Sequence, residues 1–364
     1  MGAANTSGIY NGVAAKIASV ACLHVHTWCY SHSLNLVLTD AGSSITAATI
    51  LFGVIQKVST FFRSAYKRMG VWGQTMQARG RRARRLVSIG ETRWLSQSAA
   101  LVKIFGSYST TNSTKSGLFA ELILAPDAVA DKPTFQESVR SDAKVLMDHF
   151  MKFETILAAF VFLQIYKVTT PLSLYHQTKG LDMLQAWRMV ETVNKEITAI
   201  SRDFESIHQK AKEFCASVNV SLDETDLEID AVLPKKRARK KKRMPGEQCQ
   251  DEAVLDEVDS YRINTFNAIM DRVVQNLKVR FLDHEKCYND FACFDPRSFS
   301  ELKQSGIPPS ATGKVCELLG DRVDRELLLT QVETVYGFLP KACHVSSRRI
   351  RDRWQWAGRI RRWW

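Results

Sequence analysis

Trp187-Arg-Met-Val190-Glu-Thr-Val193-Asn-Lys-Glu-Ile197-Thr-Ala-Ile200-Ser-Arg-Asp-Phe204-Glu-Ser-Ile207-His-Gln-Lys-Ala211-Lys-Glu-Phe214 carries an apolar residue at almost every third or fourth position. That spacing gathers the apolar side chains on one face of a 3.6-residue helix. The stretch is therefore expected to be one amphipathic helix of roughly eight turns. Working outward, the same period recurs in Leu146, Phe150, Phe153, Leu157 and Phe160, in Tyr261 to Phe281, and in Arg322 to Phe338. Upstream it recurs from Ser44 to Lys67, through Leu51, Val54, Ile55, Val58, Phe61, Phe62 and Ala65, and a further helix is expected from about Thr92 to Phe105. Helix content is thus predicted to lie well above the usual third.

The N-terminal forty residues read differently. Turn formers (Gly2, Asn5, Ser7, Gly8, Asn11, Gly12) precede a β-branched and aromatic run, Leu23 to Cys29, which is expected to be a strand, with a helix beginning near Ser31. A polar stretch, Ser109 to Ser116, and a Pro-containing one, Pro126 to Pro133, separate this part from the helical remainder. Opposed charge blocks with few apolar residues fill about Ser221 to Gln250. Such a composition buries too little surface to offset the ordering of its backbone, so a disordered charged loop is expected there.

The chain has 364 residues, 45% of them hydrophobic and 24% charged, enough for one large domain or two ordinary ones. Its longest apolar stretch, around Ile156 to Leu163, is far shorter than the ~20 residues a spanning helix needs, and the N-terminus lacks the layout of a signal peptide. No membrane association is expected; the reading is of a soluble, intracellular protein. The eight cysteines, at positions 22, 29, 215, 249, 287, 293, 316 and 343, show no paired spacing suited to a zinc knuckle or a disulfide framework. Cys29 and His32 form the nearest approach to a metal pair, and no second pair accompanies them. No metal and no other cofactor is expected.

The net charge of +12 and the pI near 9.3 point to an acidic partner. The positive charge is concentrated in two places. Lys235, Lys236, Arg237, Arg239, Lys240, Lys241, Lys242 and Arg243 form a run of eight cations, and the tail from Arg348 to Trp364 holds seven arginines against one aspartate. These two segments exceed the charge of the whole chain, so the rest is close to neutral.

Five separated segments carry a family resemblance. Met1-Gly-Ala-Ala-Asn-Thr-Ser-Gly-Ile-Tyr-Asn-Gly-Val resembles the Asp-Gly-Ala-Ala-Asn-Met-Ser-Gly-x-Tyr-Asn-Gly-Val segment of hAT-superfamily transposases and their host-domesticated descendants, such as zinc-finger MYM-type and kinase-inhibitor-repressor-like proteins. Cys29-Tyr-Ser-His32-Ser-Leu-Asn-Leu resembles their Cys-x-x-His-x-Leu-Asn-Leu motif, and Glu91-Thr-Arg93-Trp94 their Thr-Arg-Trp motif. Lys179-Gly-Leu-Asp-Met-Leu and Tyr261-Arg-Ile-Asn-Thr-Phe follow in the family's order. The resemblance covers about Gly2 to Phe338. It implies an α/β plus all-α, predominantly helical fold: a partial RNase H-like core over 1–106, interrupted by a large helical insertion over 107–340, with an Arg/Trp-rich tail over 341–364.

In that family three carboxylates hold the divalent metal ions that cleave phosphodiesters. Here Met1 stands where the resemblance expects the second Asp, the strand bearing the first is not in the chain, and Lys341-Ala-Cys-His replaces the segment that brings the Glu. A thioether is no ligand for magnesium or manganese, which take hard oxygen donors. No catalytic residue is assigned.

The candidate nucleic-acid contacts are His32, Arg93 and Trp94, with Arg79, Arg81, Arg82, Arg84 and Arg85 as a phosphate-contacting cluster. Each has a simpler reading as well: His32 as a helix-start histidine bonded to backbone, Trp94 as a core anchor, the arginines as a solvated loop. The run Lys235 to Arg243 suits a nuclear import receptor or counterion-releasing contact with phosphates. Together these make a non-catalytic nuclear protein, derived from a hAT-type transposase, that binds nucleic acid with weak specificity or meets other proteins. Dimerisation is expected to be weakened by loss of the family's C-terminal segment. Two alternatives stand beside it: part of an active transposase whose carboxylates lie outside this chain, and a decayed gene product.

Overall fold

The computed structural model describes residues 12–20, 29–82, 94–108, 117–178, 181–223, 225–235, 255–281, 293–295, 297–307 and 311–337. The chain divides into two compact units, Trp28–Asp283 and a second made of Met1–Thr27 with His284–Trp364. Helix α1, Val13–Val20, belongs to the second unit.

The first unit is built on a helix that is apolar all round. Its helices run α2 (Tyr30–Ser44), α3 (Thr46–Arg63), α4 (Tyr66–Ala78), α5 (Trp94–Phe105), α6 (Phe119–Ala130), α7 (Glu137–Met151), α8 (Phe153–His176), α9 (Met183–Ile200), α10 (Phe204–Leu222) and α11 (Glu257–Tyr261). A π-helical turn, Arg262–Asn267, leads from α11 into α12 (Ala268–Phe281). Helix α8 packs against α2, α3, α5, α7, α9 and α10, and Ile156 through Val161 are all completely buried in it. A helix with no polar face must be enclosed in this way. By length and composition α8 is the one helix among the described residues apolar enough to cross a membrane, and most of its apolar stretch is covered by the helices around it.

Aromatic rings join the surrounding helices to this axis. Phe105 of α5, Phe119 of α6, Phe160 of α8 and Phe214 of α10 form one cluster, with ring centroids 5.0 to 6.4 Å apart. Such edge and tilted pairs add about 0.5–1.5 kcal/mol each beyond the burial of their area. A buried polar link joins α8 to α5: the Tyr166 hydroxyl donates to Gln97 Oε1 at 2.9 Å.

The structure corrects the fold class. Every regular element among the described residues is a helix, so no α/β RNase H-like core is present there, and the fold is all-α. The expected strand, Leu23 to Cys29, lies outside the described residues except for Cys29. The rest of the segment assigned to that core is helical, and for a physical reason. Leu34, Val37, Leu38 and Ala41 of α2, and Leu51, Val54, Ile55, Val58 and Phe62 of α3, are buried stripes of period 3.6, and α2 packs on α12 while both helices pack on α8. The interior these residues fill is the one the expected insertion fills. The boundary expected at residue 106 therefore runs through a single packed unit, because α5 rests on α8 and touches α6.

The long helices expected from periodicity are shorter and paired. The eight-turn stretch breaks at Ser201, Arg202 and Asp203, where Arg202 N–H bonds to Ala199 O and Asp203 N–H to Ile200 O in a tightening turn. Leu146 and Phe150 end α7, and an extended Lys152 separates them from Phe153 of α8. Ile45 is likewise extended between α2 and α3, which diverge by 102°. A three-residue turn preserves the apolar spacing, so spacing alone reads two helices packed on one neighbour as one.

Residues 225–235 differ from the expected loop. Ser221 and Leu222 complete α10, Thr225 and Asp226 bend away from it, and 227–235 forms no regular element but has Ile229 and Leu233 buried. Residues 236–250 lie outside the described residues.

In the second unit, α13 (Phe299–Ser305), α14 (Gly313–Leu319), a 3-10 turn (Gly320–Arg322) and α15 (Arg325–Gly337) follow one another. Phe299, Val332 and Tyr336 form its buried centre with Phe294, Leu302, Ile307 and Leu328. The Tyr336 hydroxyl donates to the Cys293 carbonyl at 2.5 Å.

Candidate functional site

The arginines of the candidate nucleic-acid cluster are placed by a helix stop. Gly80, at φ +65°, ends α4, with its N–H bonded to Gln77 O and the next N–H, from Arg81, bonded to Met76 O. This pair of reversed bonds is the glycine-terminated C-cap that only a residue without a Cβ adopts readily. It leaves Arg79 and Arg81 on either side of one turn, both reaching the same carboxylate. Arg79 Nε and Arg81 Nε each stand 3.0 Å from Glu121 Oε1.

Glu121 lies in the first turn of α6, and its side chain is completely buried. A buried carboxylate stays ionised at low cost only when paired and hydrogen-bonded. Here two guanidiniums serve one oxygen, while Glu121 Oε2 is buried without a hydrogen-bond partner. Each arginine also ties down a main-chain carbonyl. Arg79 Nη1 donates to Ser221 O at the end of α10, at 3.1 Å, and Arg81 Nη1 to Gly117 O in the approach to α6. The node thus fastens α4, α6 and α10 together, with Arg79 and Arg81 turned into the fold; Arg82 is exposed beside them.

The remaining candidates are dispersed. His32 stands exposed on the first turn of α2, which packs on α12, whereas the arginines close α4, which packs on α3 and α6. Cys29, paired with His32 in the sequence reading as the nearest approach to a metal pair, is exposed just before α2 with a free thiol. Trp94 opens α5. Arg84, Arg85 and Arg93 lie outside the described residues, as do Lys236, Arg237, Arg239, Lys240, Lys241, Lys242 and Arg243 of the basic run. Lys235, its first residue, is exposed at the end of the stretch 225–235.

No protein-family model, no curated protein and no solved structure matches this chain.

Buried titratable groups gather elsewhere. His176, at the end of α8, meets Tyr30 of α2 edge-on and stacks near Phe281 of α12, with ring centroids 5.2 and 6.1 Å away. Burial lowers its pKa to about 4, against the main chains of Ala186 and Tyr30, which act to raise it. His208 stacks on Phe204 and is lowered in the same sense, by burial first and then by Lys212, with Glu205 opposing. These imidazoles sit among aromatic rings. Among the described residues no three His, Cys, Asp or Glu side chains are placed to share a metal ion.

A small cavity of about 10 Å³ lies between α3, α5 and the start of α6, lined by Ile55, Val58, Ser59, Ala100, Ile104 and Leu118, among others. A cavity of that size holds one water at most. The buried Tyr108 ring carries the Lys210 ammonium at 4.0 Å and that of Lys167 at 5.6 Å.

Glu121, Ser221 and Asn219 were not singled out in the sequence. Glu121 had a legible signal: it is the lone charge in Leu118-Phe-Ala-Glu-Leu-Ile-Leu, an apolar run that buries whatever it carries. Gly80, between Arg79 and Arg81, was equally legible as a helix stop.

Proposed function

We propose that this chain is a non-catalytic nuclear protein, descended from a hAT-type transposase, that engages partners through the basic run Lys235 to Arg243. The observation that carries the reading is the run itself, eight cations within nine consecutive positions, starting at an exposed Lys235. Charge at that density suits the acidic grooves of nuclear import receptors, and it releases counterions when it meets phosphates. The descent rests on the five ordered segments. The absence of strand cleavage rests on the residues standing where the family's carboxylates are expected.

Nucleic-acid contact is assigned to the basic run and to exposed Arg82 and His32. Arg79 and Arg81 are committed to Glu121, so their guanidiniums reach a phosphate only by leaving a buried carboxylate unpaired.

Replacing Lys235, Lys236, Arg237 and Lys240 with Ala in a fluorescent fusion is expected to move the protein out of the nucleus. An unchanged distribution refutes the import role. Binding of a labelled duplex by the same variant, measured against salt, is expected to show a shallower slope than the unsubstituted chain.

A further inference from the structure

Within the unit Trp28–Asp283, the stretch 225–235 is tied to α10 as a bound peptide would be. Its side chains alternate. Ile229 and Leu233 are 2% and 5% exposed, Leu227 and Ala231 are half-buried, and Asp226, Glu228, Asp230 and Val232 face solvent. That is the two-residue period of an extended chain with one face down. Among the described residues no strand pairs with it.

The strand's place is taken by one side chain. Asn219 Oδ1 accepts from the Ile229 N–H at 2.9 Å, and Asn219 Nδ2 donates to the Ile229 carbonyl at 3.0 Å. A carboxamide is the one neutral side-chain group that both donates and accepts across a single peptide residue. It recognises main chain without regard to the side chain it carries, while the sites filled by Ile229 and Leu233 select side chains. Recognition of extended peptides divides its labour in this way, with affinity from main-chain bonds and specificity from alternate pockets. Asn219 is firmly placed. Val218 and Leu222 beside it on α10 are buried, and Arg79 holds the Ser221 carbonyl.

We propose that the surface beneath 225–235 is a peptide-docking groove, and that this stretch is its tethered occupant. The partner it fits is an extended segment of another protein that carries two branched aliphatic side chains four residues apart, the chemistry of Ile229 and Leu233. The tether is displaceable because little holds it. Among the described residues it is held by the buried side chains of Ile229 and Leu233, the Asn219 pair of bonds and the turn that ties Thr225 to Leu222, and segments with few buried contacts open well below the global unfolding free energy.

The test uses the full chain and a labelled synthetic peptide of residues 225–235. Ile229→Ser with Leu233→Ser withdraws the tethered occupant. The peptide is expected to saturate this variant and to bind the unsubstituted chain about tenfold or more weakly, because a tethered competitor acts at millimolar effective concentration. Adding Asn219→Ala to the variant is expected to abolish binding while the helical circular dichroism is unchanged. Native-state hydrogen exchange on the unsubstituted chain is expected to show the Ile229 amide opening faster than the amides of α8. Failure of a folded Ser variant to bind the peptide, or equal binding to both chains, overturns the proposal. Exchange at Ile229 as slow as in α8 also overturns it, as does loss of cooperative melting in the Ser variant, since the stretch is then part of the core.

Discussion

Arg79 Nε and Glu121 Oε1 stand 3.0 Å apart across forty-two positions of sequence, and the same oxygen receives Arg81. Two cations that read as a nucleic-acid contact thus neutralise the one charge that α6 carries into the interior.

The two sides of this node are unequal. Arg79→Ala with Arg81→Ala leaves a buried carboxylate with no counter-charge, a change expected to cost about 3–5 kcal/mol. Glu121→Gln keeps the shape and frees guanidiniums that are 29% and 22% exposed and can turn to water; it is expected to cost about 1–2 kcal/mol. Urea unfolding of the two variants measures the order. A more damaging Glu121→Gln contradicts the assignment of the arginines as its counter-ions.

Gly117 has no room for a side chain. A Cβ there would collide with the Ile104 carbonyl oxygen, and backbone cannot step aside as a side chain can. Gly117→Ala is expected to lower stability by about 1–3 kcal/mol, the usual cost of overpacking. It should also disturb the Arg81 bond to the Gly117 carbonyl. A thermal midpoint equal to that of the unsubstituted chain counts against this close approach of α5 to the start of α6.

Ser59 is a stabilising substitution in waiting. Its hydroxyl is buried, has no hydrogen-bond partner and lines the small apolar cavity. Ser59→Ala removes an unsatisfied polar group and is expected to raise stability by about 1 kcal/mol. A loss of stability on calorimetry means that the hydroxyl has a bond the Ala variant breaks.

Acid should loosen the packing around His176. Its ordinary pKa is 6.5, and burial lowers it to about 4 in the folded chain. Between those values the unfolded chain takes a proton that the folded one refuses, so stability falls as the pH drops from about 6.5 towards 4 and is fully present above that window. His208 is shifted in the same direction and steepens the fall. His176→Phe, placed beside Tyr30 and Phe281, is expected to flatten the acid limb of a plot of melting temperature against pH. An unchanged slope would assign the acid response to other groups.

The helices were legible because the signal is local. Leu51, Val54, Ile55, Val58 and Phe62 announce α3 by spacing alone, and each is buried. The breaks were not legible. Lys152 and the turn Ser201 to Asp203 carry no Gly or Pro, and the apolar spacing continues across them. They are decided by packing: α9 and α10 both lie on α8, and α7 folds back onto α8 itself. The candidate site was legible in composition and not in placement. Nothing local distinguishes Arg79 and Arg81 from the exposed Arg82, since the distinction is made by a carboxylate forty residues away.

By itself, then, the sequence determined that the chain is mainly helical, that α8 must be enclosed, and that its positive charge lies in two segments apart from a near-neutral body. Hydrophobic period and charge count are properties of neighbouring residues, and they need no knowledge of distant ones. Only the tertiary structure decided that the segment assigned to an α/β core is helical and shares one interior with the rest. It alone decided that two arginines serve Glu121, and that an acidic stretch lies anchored by Asn219, Ile229 and Leu233. Those outcomes depend on which surfaces meet, and burial changes the cost of a charge or an unpaired peptide group only once the partner has been placed beside it.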